Sequence, residues 1–133
     1  MKKSTFIEMR KYPRIKLELP IILTFFYEGR SVICPGLCLD VSLSGIGVAM
    51  YKTDIPCNPE EFPVNGPVKL EIKLPSLPDE IIAGAALKWK RDTTDNSGVI
   101  IGLEFELAVN AEAPFILYSY AKRANTVDQE QQS

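Results

Sequence analysis

Hydrophobic and polar positions alternate with a period of two along most of this chain, the spacing of half-buried strands and not of amphipathic helices. The clearest run extends from Val68 to Leu74, where Val68, Leu70, Ile72 and Leu74 share one face and Lys69, Glu71 and Lys73 the other. Leu17–Phe26 is β-branched and aromatic, Tyr27-Glu28-Gly29-Arg30 predicts a hairpin turn, and Ser31–Val41 resumes the extended pattern with Pro35-Gly36 as a bulge or edge feature. Further strands are predicted over Ile46–Tyr51, Ile81–Trp89 and Val99–Phe105. A proline-rich, acidic loop, Thr53–Gly66, is the least regular interior stretch, and Asp92–Gly98 is a polar turn. Six short antiparallel strands with such connections predict an all-β fold closed as a barrel.

The last quarter of the chain changes period. A helix is expected over residues 110–124, with Asn110 as N-cap, Glu112 in the first turn, an apolar face of Phe115, Ile116, Leu117 and Tyr118, and Lys122 and Arg123 at its end. Residues 125–133 are polar and aperiodic, and are expected to be a disordered tail. The division expected is therefore a basic arm over residues 1–16, a barrel over 17–109, a helix over 110–124 and the tail. No internal repeat interrupts it.

A chain of 133 residues suits one domain with a core of its own. No apolar run approaches the ~20 residues that span a bilayer, and Met1-Lys2-Lys3 is not followed by the apolar stretch of a signal peptide, so a cytoplasmic protein without membrane insertion is expected. Three cysteines, Cys34, Cys38 and Cys57, make no disulfide framework and lack zinc-ligand spacing; Cys34 and Cys38 are expected in the core. Histidine is absent, which removes the commonest general base and metal ligand, and no SxxK motif offers a serine a lysine base. Neither catalytic residues nor a metal site nor a cofactor is expected.

Charge is divided unevenly. Residues 1–16 carry six basic residues and one acid, a net of +5, whereas the remainder carries nine basic and sixteen acidic residues, a net of −7. An acidic body argues against binding a nucleic-acid polymer over a barrel face, which takes distributed basic and aromatic side chains. The arm is either a solvated tail or a clasp for a small polyanion. Trp89, at the end of an apolar strand, is expected in the core, and Lys88, Lys90 and Arg91 in solvent.

Two short motifs alter this picture. Arg10-Lys11-Tyr12-Pro13-Arg14 is an RxxxR, and Asp40-Val41-Ser42-Leu43-Ser44-Gly45 a DxSxxG, about two dozen residues later. By itself the second predicts a capped turn, in which Asp, Ser and Gly are all common. In this order and spacing the pair resembles the signature of the PilZ domain, a bacterial receptor family for cyclic di-GMP. Ala86-Leu87-Lys88-Trp89 looks like that family's VxW strand and Gly102-Leu103-Glu104-Phe105 like its GvxF strand, so the resemblance covers about Ile7 to Arg123. It implies a six-stranded antiparallel β-barrel with a C-terminal α-helix.

The residue chemistry suits a guanine dinucleotide. An arginine fork bonds guanine O6 and N7 or a phosphate in pairs, and its plane stacks on a purine. Pro13 disfavours helix at Tyr12, and in an extended segment the even spacing of Arg10 and Arg14 puts both on one side. The Asp40 carboxylate would accept from guanine N1–H and the exocyclic amine, which adenine cannot supply. Ser42, two residues on along an extended strand, would share its face and donate to the ligand; Gly45 would permit a positive φ and close approach. The function expected is a stand-alone, non-enzymatic cyclic di-GMP receptor holding one or two ligands through Arg10, Arg14, Asp40, Ser42 and Gly45. It would change conformation on binding and regulate a protein partner in trans, in motility, biofilm or virulence control. The alternative is a PilZ-like protein-interaction adaptor that binds no nucleotide.

Overall fold

The computed structural model describes residues 13–75, 77–106 and 112–132, with side chains through Asn125. Six strands, β1 (Ile15–Tyr27), β2 (Arg30–Val41), β3 (Gly45–Tyr51), β4 (Pro67–Ile72), β5 (Ile81–Asp92) and β6 (Gly98–Phe105), close into an antiparallel barrel in the order β1-β2-β3-β6-β5-β4. The hairpins follow from local chemistry. Glu28 and Gly29 both take positive φ, the primed-turn geometry that matches strand twist between β1 and β2. The alternating apolar residues Ile21, Leu23, Phe25, Val68, Leu70, Ile72, Leu87, Ile101 and Leu103 all point inward and are 3% exposed or less. Full burial of a large aliphatic side chain stabilises by roughly 1.5–3 kcal/mol, which is why the two-residue period fixes the register.

Pro35-Gly36 is an edge feature and not a bulge. Pro35 pairs in regular register with Ile22 of β1, while β2–β3 pairing begins only at Leu37, so the missing N–H interrupts no ladder on that side. The irregularities lie between Lys16 and Leu19 on β1 and between Cys38 and Asp40 on β2.

The proline-rich loop plugs one end of the barrel. It contains 3-10 turns at Lys52–Asp54 and Pro59–Glu61. Phe62 is 1% exposed, stacks on Phe25 at 4.0 Å and meets the edge of Tyr27 at 5.5 Å. Lys90, expected in solvent, instead donates to the carbonyls of Pro59, Glu60 and Phe62 at 3.1, 3.0 and 2.5 Å. An ammonium has three donors and a loop end has orphan carbonyls, so the pairing satisfies both.

The helix α1 spans Ala113–Gln132. Its expected cap, Asn110, lies outside the described residues. The face that packs on the barrel is Ala113, Leu117 and Ala121, all 0% exposed, while Phe115 and Ile116 are 60% and 37% exposed. Four consecutive apolar residues cannot share one face at 3.6 residues per turn, and the small alanines allow close approach. The backbone also stays helical through Gln132, past the boundary expected at residue 124 and into the segment expected to be disordered. No glycine or proline interrupts it, and Asp, Glu and Gln are tolerated in helices. Asn125 Nδ2 donates to the Lys16 carbonyl at 2.9 Å, fastening the helix to the start of β1.

Cys34 and Cys38 are in the core as expected, both 0% exposed. Burial pushes the Cys34 thiol up to about 11, with the Cys57 and Asp54 charges adding to it. Burial pushes Cys38 up to about 12, with the Asp40 charge adding to it and a backbone hydrogen bond with Asp40 opposing it. Cys57 is half-buried in the loop. Native protein treated with iodoacetamide at pH 8 is therefore expected to be alkylated at Cys57 alone, and mass mapping of Cys34 or Cys38 adducts before denaturation would refute the packing.

Candidate functional site

Strand parity decides which way Asp40 faces. Cys38 pairs with Val48 but Asp40 pairs with the very next residue back, Gly47, so Leu39 is an extra residue in β2. Cys38 and Val41, three apart, are thereby both in the core at 0% exposure, and Asp40 is turned outward with its side chain 35% exposed. Were Cys38, Leu39 and Asp40 to alternate without a bulge, Asp40 would follow Cys38 into the barrel.

The first motif then meets the second. Arg14 Nη1 donates to Asp40 Oδ1 at 2.7 Å across 26 residues of sequence. Both side chains remain about a third exposed, open to a ligand. Arg10 lies outside the described residues.

Ser42 and Gly45 are placed differently from expectation. β2 ends at Val41, so strand alternation no longer governs Ser42, which is 2% exposed. Its hydroxyl accepts from the N–H groups of Ser44 and Gly45 at 3.2 and 3.1 Å and lies 3.1 Å from the Ser44 hydroxyl. It closes the β2–β3 turn. Gly45 is not among the residues of positive φ; a Cβ there would run into the Leu103 carbonyl of β6. Close strand approach, and not an unusual φ, requires the glycine.

Two further glycines and a tryptophan complete the surface. Asp40 pairs with Gly47 of β3, Gly47 with Gly102 of β6, and Gly102 with Trp89 of β5. A Cβ on Gly47 would stand 2.9 Å from Asp40 Oδ1, and one on Gly102 would overlap the Trp89 indole. Trp89 is thus outside the core, 39% exposed, with the Arg91 guanidinium 5.5 Å from its ring centre. The result is a trough over the glycine pair, with the Asp40 carboxylate lying against Gly47 and the Trp89 indole against Gly102. Three strand spacings, roughly 14 Å, separate the backbones of Asp40 and Trp89, but their side chains reach toward each other over the paired Gly47 and Gly102. A carboxylate acceptor beside an aromatic face can take a flat, donor-bearing ring. Gly47 and Gly102 were detectable in sequence only as glycines inside strands, a mark of close approach; Trp89 was misassigned because it ends an apolar run.

The described residues hold no group of three His, Cys, Asp or Glu side chains able to bind a metal. No helix among them is long and apolar enough to cross a membrane.

The family model for the PilZ domain matches residues 8–118. The chain belongs to the PilZ domain family. Solved PilZ structures share the fold. The PilZ domain of YcgR from Escherichia coli with c-di-GMP superposes with a TM-score of 0.61 at 18% identity, covering 91% of this chain and 97% of that one. MotI/DgrA, the Bacillus subtilis inhibitor of motility, gives 0.64 at 19% identity, covering 88% of this chain and 51% of that one. The K. pneumonia MrkH–c-di-GMP complex gives 0.58 at 16% identity, covering 88% and 54%. This PilZ chain therefore spans about half the length of the last two. No curated protein matches its sequence.

Proposed function

We propose that this chain is a cyclic di-GMP receptor of the cytoplasm, which signals by binding and not by catalysis and regulates a protein partner in trans. The processes proposed for that partner are motility, biofilm or virulence control. The observation that carries the reading is the Arg14–Asp40 pair at 2.7 Å, which joins the two halves of the motif beside the glycine-floored trough. Two of the similar structures, YcgR and MrkH, are complexes with c-di-GMP, which supports the same ligand here.

In this reading Arg10 and Arg14 take guanine O6 and N7 or the phosphates, and Asp40 takes the guanine N1–H and amine. Ser42 and Gly45 serve the site by holding the turn after Asp40 and the spacing of β3 against β6. Gly47 leaves room for the Asp40 carboxylate and Gly102 for the Trp89 indole, and the indole bounds the ligand. Ligand binding folds the basic arm over the trough.

Isothermal titration of the purified chain with cyclic di-GMP, cyclic di-AMP and GTP tests the proposal. Saturable heat with cyclic di-GMP alone is the expected result, and its molar ratio gives one ligand or two. No binding by calorimetry and by a second method would sink the receptor reading and leave the partner-binding adaptor.

A further inference from the structure

A groove of about 540 Å³ lies beside the trough on the outer surface, with Pro35, Leu37, Ala49, Tyr51, Asp54 and Asp95 in its lining. It occupies the next outward row. Leu37 pairs with Ala49 and Ala49 with Ile100, just as Asp40 pairs with Gly47 and Gly47 with Gly102. Tyr51 is 67% exposed and Leu37 41%, and Ile33, two residues beyond Pro35 on the same face of β2, is 63% exposed. A contiguous apolar surface of this kind on a small domain calls for an occupant.

The rim adds a charge requirement. Asp54 has no hydrogen bond or ion pair with any described residue, and among the described residues the Asp95 carboxylate accepts only from Thr93 and Ser97. The nearby cations are engaged elsewhere: Lys52 bonds Asp92 and Asn96 at 3.1 and 2.7 Å, and Arg91 sits over Trp89. An occupant should therefore carry both apolar and basic side chains.

Such a segment is present in this chain. The residues before Arg10 include Lys2 and Lys3 together with Phe6, Ile7 and Met9, within an arm of net +5 facing a body of net −7. Arg14 is held on Asp40, so the arm leaves the barrel at the edge of the trough. From Asp40 to Leu37 is three residues of strand, about 10 Å. The four residues from Arg10 to Pro13 reach roughly 13 Å when extended, enough to cross that distance.

We propose that residues 2–9 dock in this groove, with Phe6 and Ile7 on Pro35, Leu37 and Ala49, and with Lys2 and Lys3 on Asp54 and Asp95. Docking tethers the arm beside the trough before any ligand arrives, so ligand has less of the arm to fold over itself, which lowers the ordering cost of binding. Only this last consequence rests on the nucleotide reading.

The experiment compares amide proton–nitrogen spectra of the full chain, wild type against a Phe6→Ser/Ile7→Ser variant, without nucleotide. The amides of Ala49, Tyr51 and Gly98 are expected to move in the variant, while those of Leu23 and Leu70 in the core stay in place. A synthetic peptide of residues 1–9 should shift the groove amides of the variant saturably toward their wild-type positions. Adding Asp54→Lys to the variant should weaken that peptide at least five-fold. Superimposable groove amides in wild type and variant overturn the proposal, and so does a peptide response unchanged by Asp54→Lys. Because nucleotide is absent throughout, failure here leaves the receptor reading standing, and failure of cyclic di-GMP to bind leaves the groove result standing.

Discussion

Arg14→Ala and Asp40→Ala are each expected to weaken cyclic di-GMP binding by at least ten-fold while leaving the thermal unfolding midpoint nearly unchanged. The two expectations separate because the pair works in different surroundings in the two states. Without ligand both side chains are about a third exposed, and such pairs contribute at most about 1 kcal/mol to folding. Beneath a nucleotide the same charges lose their water, and truncating one partner of a desolvated charged contact costs about 2–5 kcal/mol. Ten-fold corresponds to about 1.4 kcal/mol, so the expected loss exceeds that floor. Arg14→Lys should recover only part of the affinity, since an ammonium keeps the charge and loses the planar fork. Calorimetric titration of the three variants beside wild type decides the matter. Wild-type isotherms for both alanine variants would show that the motif is only a turn with an arm tied to it.

Gly45→Ala is expected to destabilise the fold by about 3 kcal/mol, near the upper end for an inserted methyl group, and to reduce ligand binding only through that loss. The added Cβ would run into the Leu103 carbonyl, a backbone atom within the β3–β6 ladder that cannot rotate away. The Ser42 turn bonds to the Gly45 N–H at 3.1 Å and would be displaced with it. Gly102→Ala is the informative contrast, since its Cβ meets the Trp89 side chain, which can swing outward. Denaturant melts read the difference. A Gly45→Ala protein as stable as wild type, yet unable to bind, would return this glycine to the ligand-contact role that the motif first implied.

Most of the barrel was legible because each strand carries its own record of which side is wet. Val68 to Ile72 alternates without error, and the structure buries every second residue of it. What the sequence did not display is register, which depends on residues far apart. Gly47 and Gly102 are unremarkable glycines until pairing sets them side by side next to Asp40 and Trp89. Ser42 was assigned to the ligand face by counting two residues along a strand, and the strand stops one residue short of it. Lys90 was assigned to solvent because nothing local reveals that three loop carbonyls converge on it. The RxxxR and DxSxxG motifs were recognised from spacing, but only the fold shows that Arg14 reaches Asp40 directly.

The extra residue at Leu39 couples two counts that are otherwise independent. Along β2 the core is kept in phase from the hairpin as far as Cys38, and the acid is kept in phase from the following turn back to Asp40. Leu39 is the joint between the two phases. If the bulge were ironed out with Leu39 retained, Asp40 would turn inward and Val41 outward together, which would both place an unpaired charge in the core and strip the carboxylate from the surface. The bulge is therefore under joint constraint from folding and recognition, since it lets an even count of residues from Cys38 to Asp40 end on the opposite face.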